Sequence, residues 1–248
     1  MRWLALTLAL AAAAAAAAGQ GRAQAPCRQA LMLAIDVSAS VDFQEYSLQA
    51  EGLAAALRDP EVYQAFMGRT EVPVWIAVFE WSSGSYQRVL VDWTAVSGAE
   101  ILERIARAIE TNPLPPEQST TGIGAAIVFA GELFARGPSC PERTLDISGD
   151  GQNNDWPRPE VTRHDPLLSG ITINGLVIGA DFPIDHELNP NRMGALENYY
   201  RARVIKGAGA FVETAEDFND FGNAMRRKLI RELNTLMVGG VMDGRRRR

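Results

Sequence analysis

Short apolar runs, each long enough for one buried strand, alternate along this chain with longer segments whose apolar residues recur at helical spacing. The strand-like runs cover residues 31–37, 74–81, 86–91, 144–148, 171–178 and 210–212. Helical spacing is found at residues 42–57, 98–109, 122–134, 193–201 and 216–236. This alternation predicts an α/β fold in which helices cover both faces of a mostly parallel sheet.

One connection in this pattern is too short to contain a helix. Residues 82–85, with the sequence S-S-G-S, separate the strand-like runs 74–81 and 86–91. A tight turn can join antiparallel strands, whereas parallel strands need a longer crossover. We therefore predict that residues 86–91 return as an antiparallel edge strand.

The first 25 residues contain the three parts of an export signal in order. An arginine supplies the basic region, residues 3–18 supply an apolar stretch, and residues 23–25 form an A-x-A cleavage site. A transmembrane anchor would be longer. We predict a signal peptide at 1–25, one domain at 26–237 and a flexible basic tail at 238–248. The protein would then be periplasmic or secreted, with no integral membrane segment after signal removal.

The charge balance argues against a nucleic-acid-binding surface. The chain has 24 Lys and Arg residues against 30 Asp and Glu residues, a net charge of −6, and removal of the signal with its two arginines lowers it to −8. Nucleic-acid-binding domains usually carry a basic face. The four terminal arginines are a local exception, which we interpret as a solvated chain end.

Five oxygen-bearing side chains lie where predicted strands end or a predicted helix begins. They are Asp36, Ser38 and Ser40 in a D-x-S-x-S segment, Thr121 before the helix at 122–134, and Asp150 after the strand at 144–148. Parallel sheets bind ligands beyond the carboxyl ends of their strands. We therefore predict that these side chains converge on one divalent cation. The alternative is that they only cap helices and turns, for which all five are well suited.

The chemistry of these donors favours Mg²⁺. The set consists of hard oxygens without clustered His or Cys, which argues against zinc or copper. Mg²⁺ keeps several waters and so needs few protein ligands, whereas Ca²⁺ usually takes more carboxylates and carbonyls. Ca²⁺ and Mn²⁺ remain alternatives.

The two cysteines, Cys27 and Cys140, are expected to lie in an oxidising compartment. Cys27 lies nine residues before Asp36, and Cys140 lies ten before Asp150. If these aspartates end neighbouring parallel strands at one edge, the cysteines lie near each other at the opposite edge. The similar offsets predict a Cys27–Cys140 disulfide, with two unpaired cysteines as the alternative.

At the five oxygen donors the chain resembles the von Willebrand factor type A family, whose metal-ion-dependent adhesion site (MIDAS) combines D-x-S-x-S, a later threonine and an aspartate after a central strand. The match covers roughly residues 30–236, and Ser148-Gly149 departs from the residues usual before the last aspartate. The resemblance implies a Rossmann-like, three-layer α/β/α fold with six strands, the third antiparallel. It also implies metal contacts from the hydroxyls and a partner protein that offers an acidic side chain. The segment 148–154 also resembles an uncharacterised branch of exported bacterial proteins.

These observations favour an exported, metal-dependent protein-binding module over an enzyme. The alternative is a metal-dependent hydrolase or phosphoryl-transfer enzyme, since Mg²⁺ can activate water or polarise phosphate. We identify no general base or nucleophile, because Asp36 and Asp150 are both needed around the ion. A scaffold with a vestigial site is a third possibility, and it predicts no thermal shift on adding Mg²⁺.

Three neighbouring features extend the predicted site. We expect Glu80, at the end of the run 74–81, to be an exposed carboxylate on the rim. Asn153 and Asn154 follow Asp150 and either orient waters or contact a partner, or simply form a polar turn. The loop 181–187 follows another strand, so it should emerge at the same edge as a specificity loop.

Overall fold

The computed structural model describes residues 26–68, 72–113, 115, 119–179 and 192–234. Its centre is a six-stranded sheet in the order β3-β2-β1-β4-β5-β6. The strands are β1 (Gln29–Asp36), β2 (Val74–Trp81), β3 (Gln87–Val96), β4 (Glu142–Gly149), β5 (Thr172–Ile178) and β6 (Val212–Ala215). All neighbouring pairs are parallel except β2 with β3. The predicted α/β fold with an antiparallel edge strand is therefore confirmed.

Seven helices cover the two faces of the sheet within the described residues. They are α1 (Phe43–Arg58), α2 (Pro60–Met67), α3 (Ala99–Glu110), α4 (Ile123–Ala135), α5 (Pro159–Thr162), α6 (Arg192–Tyr199) and α7 (Phe221–Asn234). A π-helical turn, Tyr200–Val204, continues α6.

Several predicted boundaries were wrong, because local patterns mark element ends poorly. β3 extends five residues beyond the predicted run, β6 lies at 212–215 instead of 210–212, and α7 begins at 221 instead of 216. Two helices, α2 and α5, were not predicted. The signal for α2 was present: Asp59 accepts hydrogen bonds from the first turn, and Pro60 occupies the first helical position.

Alternation along the strands separates two apolar cores. In β1, Leu31, Leu33 and Ile35 pack with residues of α1, α2, α3 and α7. Their neighbours Ala30, Met32 and Ala34 face the other side, where α4 and the π-helical turn pack. A strand buried on both faces reads as a continuous apolar run, which is why β1 was recognisable in the sequence.

A buried ionic cluster joins α7 to the middle of the sheet. Lys228 Nζ lies 2.9 Å from Asp146 Oδ1 of β4 and 2.6 Å from Glu232 Oε1 of α7. Asn174 of β5 donates to the same Glu232 oxygen at 2.7 Å. The side chains of all three charged residues are almost fully buried. Breaking a buried ion pair leaves an uncompensated charge, so this cluster ties α7 to the sheet.

The disulfide Cys27–Cys140 is present, as the offsets predicted, with the two Cα atoms 5.1 Å apart. It joins the chain just before β1 to the chain just before β4, at the sheet edge opposite to Asp36 and Asp150. It closes a loop with a sequence separation of 113 residues. This links the two strands that carry the aspartates.

Three predictions fall outside the described residues: the signal peptide at 1–25, the specificity loop at 181–187 and the basic tail at 238–248. Across the segments that the structure does describe, no helix combines the length and apolar character needed to cross a membrane.

Candidate metal centre

The candidate site lies at the carboxyl edge of β1 and β4, the two central strands. Asp36 is the last residue of β1, and the parallel register, in which Ala34 pairs with Ile147, places it beside Gly149. Asp150 follows Gly149 directly. The two aspartates therefore meet at one edge because the strands that carry them are neighbours and run in the same direction.

The five predicted residues come together: four of their side chains form a continuous chain of oxygen contacts, and Asp36 joins it through the Ser38 amide. Thr121 donates its hydroxyl to Ser38 Oγ at 3.3 Å, and Ser38 Oγ lies 3.3 Å from Ser40 Oγ. Ser40 then donates to Asp150 Oδ1 at 2.7 Å. Asp36 Oδ1 accepts a hydrogen bond from the Ser38 amide at 2.8 Å, which fixes the start of the loop. Adjacent ligands of one octahedral Mg²⁺ lie about 3 Å apart, so these spacings suit a single ion.

One side of the site is buried in the protein, and the other side faces solvent. Asp36, Ser38 and Thr121 are buried, whereas Ser40 is exposed and Asp150 is partly exposed. An ion held here would have protein ligands on its inner side and solvent on its outer side. Its outer coordination positions would be accessible to another molecule.

Asp36 is a buried carboxylate with an unbalanced environment. Burial and then the nearby Asp150 carboxylate hold the pKa of Asp36 well above its usual range, although hydrogen bonds from Ser38 and from the Asp150 backbone act in the opposite direction. Its Oδ2 atom has no hydrogen-bond partner, and no salt bridge to Asp36 occurs within the described part of the chain. A buried anion without a cation is unfavourable, and a bound divalent cation would remove that cost.

The donor set itself fits a hard divalent ion. Across the described residues, no three His, Cys, Asp or Glu side chains cluster as metal ligands. An ion at this site would therefore take its inner ligands from the hydroxyls of Ser38, Ser40 and Thr121, with the two aspartates balancing its charge. Such a set suits Mg²⁺ better than a soft metal.

The loop after β4 is held by its own side chains, a feature that the sequence did not reveal. Asn154 accepts from the Thr121 amide at 2.7 Å, and Asn153 accepts from the Gly124 amide at 3.0 Å. Asp155 accepts from Thr120 at 2.8 Å and from the turn between β2 and β3. The two asparagines thus act within the chain, where they fix the loop that carries Thr121.

Tyr200, from the π-helical turn, lies beneath the site. It is fully buried, as expected for a core residue, and its hydroxyl has no hydrogen-bond partner in the described residues. Burial, with the carboxylates of Asp36 and Asp150, holds the pKa of Tyr200 well above its ordinary value, so the hydroxyl stays protonated. A Cβ on Gly149 would lie 2.6 Å from this hydroxyl and 2.7 Å from Asp36 Oδ2, so a larger residue would displace one of them.

The prediction that Glu80 is an exposed rim carboxylate was wrong. Glu80 is fully buried, where it pairs with Arg88 at 2.7 Å and accepts hydrogen bonds from Tyr86 and Asn112. It lies on the face of the sheet that α1 and α3 cover, where these partners supply its ion pair and hydrogen bonds. Its partners come from β3, from the turn before it and from the loop after α3, and the apolar pattern of β2 gave no sign of them.

Comparison with known proteins identifies the fold. A family model described as "Protein of unknown function (DUF1194)" matches residues 26–237. No curated protein matches the sequence. Among solved structures, proximal thread matrix protein 1 from the mussel byssus is 16% identical with a TM-score of 0.58, and the match covers 85% of this chain and 49% of that one. A second structure of that protein, with a zinc-occupied MIDAS motif, is 17% identical with a TM-score of 0.56, covering 85% and 48%.

Bacterial structures show the same likeness. A von Willebrand factor type A protein from Catenulispora acidiphila is 15% identical with a TM-score of 0.56, and the match covers 84% of this chain and 43% of that one. The pilus adhesin SpaC from Lactobacillus rhamnosus GG is 11% identical with a TM-score of 0.52, covering 83% and 31% or less. The chain thus spans at most about half the length of these proteins. The resemblance to von Willebrand factor type A domains is confirmed as a likeness of fold.

Proposed function

We propose that this chain, which belongs to the DUF1194 family of proteins of unknown function, is an exported protein-binding module that depends on a divalent cation. The cation would be held by Asp36, Ser38, Ser40, Thr121 and Asp150, with Mg²⁺ as the first candidate. The observation that carries this proposal is the continuous contact of Thr121, Ser38, Ser40 and Asp150 beside the buried Asp36 carboxylate, which has no cationic partner among the described residues.

The partner that suits such a site is a protein with an acidic side chain. The two aspartates would balance most of the charge of the ion, but the neutral hydroxyls that contact it would leave it electrophilic, so its outer position favours an anionic ligand. A carboxylate from another protein would supply both charge and oxygen. The neighbouring surface offers apolar contacts as well, because Phe43, the first residue of α1, is 69% exposed and Trp156, in the loop that follows Asp150, is 72% exposed. Exposed aromatic side chains are frequent anchors in protein interfaces.

The named neighbours support an interaction role. One is a byssus matrix protein with a metal in its MIDAS motif, and another is a pilus adhesin. These proteins share the fold of this chain at low sequence identity. The metal, the export and the acidic ligand belong to the present proposal.

Titration with Mg²⁺ tests the metal site. We expect saturable binding to the wild type by calorimetry, and stabilisation of about 2.7 kcal/mol when Mg²⁺ is at 100 times its dissociation constant. Ser40→Ala and Asp150→Ala should bind much more weakly. Ser47→Ala is the matched control, since the Ser47 hydroxyl only donates to the Phe43 carbonyl on α1. If Mg²⁺, Mn²⁺ and Ca²⁺ all leave the wild type unchanged, the proposal is wrong.

Partner capture tests the binding role against the enzymatic alternative. The wild type with Mg²⁺ should retain a protein from the native cell envelope, and addition of chelator should release it. The variant Asp150→Ala should not retain that protein. The same preparation should not hydrolyse generic phosphoesters. Mg²⁺-dependent turnover that disappears in Asp150→Ala would instead favour the hydrolase.

A further inference from the structure

The ring of Tyr200 lies across two glycines on neighbouring strands. A Cβ on Gly175 of β5 would lie 2.8 Å from Tyr200 Cδ1, and a Cβ on Gly149 of β4 would lie 2.6 Å from the Tyr200 hydroxyl. Both positions must therefore be small for the ring to occupy this place. Tyr200 belongs to a π-helical turn, a local irregularity that is frequent at functional sites.

The hydroxyl end of this ring lies near the unsatisfied end of Asp36. Tyr200 Oη and Asp36 Oδ2 are both buried, and neither has a hydrogen-bond partner in the described residues. The position that a Cβ on Gly149 would occupy lies 2.6 Å from the Tyr200 hydroxyl and 2.7 Å from Asp36 Oδ2. The two oxygens are therefore at most 5.3 Å apart. That separation is within reach of one bridging water or, after a small adjustment, of a direct hydrogen bond.

The opposite end of the Asp36 carboxylate is already fixed. Its Oδ1 atom accepts a hydrogen bond from the Ser38 amide at 2.8 Å. A second hydrogen bond, at Oδ2, would further limit rotation of the carboxylate. A protonated hydroxyl at Oδ2 would complete this restraint. Hydrogen bonds of this kind orient the groups around a metal ion and raise its affinity.

We propose that Tyr200 is a positioning residue for the metal site, whose hydroxyl donates to Asp36 Oδ2 directly or through one water. The proposal rests on the function proposed above, since it assumes that Asp36 serves a cation. If the tyrosine only fills the core, its hydroxyl is dispensable and the ring alone matters.

Two neighbouring tyrosines provide a matched test. Tyr200→Phe removes the hydroxyl and keeps the ring, and we expect Mg²⁺ affinity, measured by calorimetry, to fall about 10- to 100-fold. The melting temperature without metal should stay close to the wild-type value, because the ring that fills the core is retained. Tyr199→Phe is the control: it removes a half-buried hydroxyl that accepts only the Asn153 amide, at 3.2 Å, and it should bind Mg²⁺ close to the wild-type affinity.

A spectroscopic signature separates positioning from packing. Mg²⁺ should perturb the ultraviolet absorption of a tyrosine in the wild type and in Tyr199→Phe, and this difference signal should vanish in Tyr200→Phe. Gly149→Ala should also weaken Mg²⁺ binding, because its methyl group would displace one of the two oxygens.

The outcomes are distinct. If the wild type binds no divalent cation, the proposed function itself fails. If the wild type binds Mg²⁺ and Tyr200→Phe binds it equally well, the metal site stands and the role of Tyr200 is wrong.

Discussion

Two regions of this molecule each bury carboxylates, and they solve the problem of their charge in opposite ways. Under α7, Asp146 and Glu232 have Lys228 between them, with contacts of 2.9 and 2.6 Å. At the edge of β1 and β4, buried Asp36 lies near Asp150, and its ordered neighbours are hydroxyls and amides. One region contains its cation, and the other, on the function proposed above, would take one from solution.

The comparison teaches which buried charges serve stability and which serve binding. Burial alone would lower the pKa of Lys228, but Asp146 and Glu232 raise it above its ordinary value, so the ammonium stays charged. This internal cation makes the cluster under α7 complete. On the proposed function, the Asp36 region would gain a cation from solution, and its stability would then depend on the concentration of that ion.

Removal of the internal cation should produce the largest effect. Lys228→Met leaves Asp146 and Glu232 buried without a counter-charge, and we expect it to lower the free energy of unfolding by about 3–5 kcal/mol. Denaturation by urea measures this change. Arg107→Met, in an ion pair on the surface of α3, is the control and should change stability by no more than about 0.5 kcal/mol. Equal effects from the two variants would mean that the cluster under α7 has no special role.

The pH dependence of the metal-free protein should be intermediate in size. Burial raises the pKa of Asp146 from 3.8 to about 7, although Lys228 acts against this shift. Between those values the folded protein keeps a proton that the unfolded chain has released, so the free energy of unfolding should fall as pH rises. The slope from one such group is at most about 1.4 kcal/mol per pH unit. Denaturation from pH 4 to 7 should therefore show a flatter slope in Asp146→Asn, and an unchanged slope would contradict this assignment.

Neutralisation of Asp36 should give the smallest effect, and its sign opposes that of Lys228→Met. Asp36→Asn keeps an oxygen for the Ser38 amide and removes a buried charge, so the metal-free protein should gain about 1 kcal/mol or remain unchanged. The same variant should lose the stabilisation by Mg²⁺. Thermal unfolding with and without Mg²⁺ measures both. A large loss of stability without metal would show that Asp36, like Lys228, mainly supports the fold.

The sequence by itself determined the architecture and the ligands of the proposed site. The apolar runs of β1 and β4 set two adjacent parallel strands, and residues next to the ends of those runs, Asp36 and Asp150, had to meet at one edge. The cysteine offsets gave the disulfide for the same reason. These features follow from the local apolar pattern and from the direction of the strands, both of which can be predicted from the sequence.

Only the tertiary structure decided how the buried charges are compensated. Lys228 meets Asp146 across 82 residues of chain, and Glu80 is buried because Arg88, Tyr86 and Asn112 surround it. Tyr200 lies beneath the site because glycines on two strands leave space for its ring. Periodicity reports which face a residue occupies, but the partner of a charge or hydroxyl depends on how distant elements pack, and no local pattern records that.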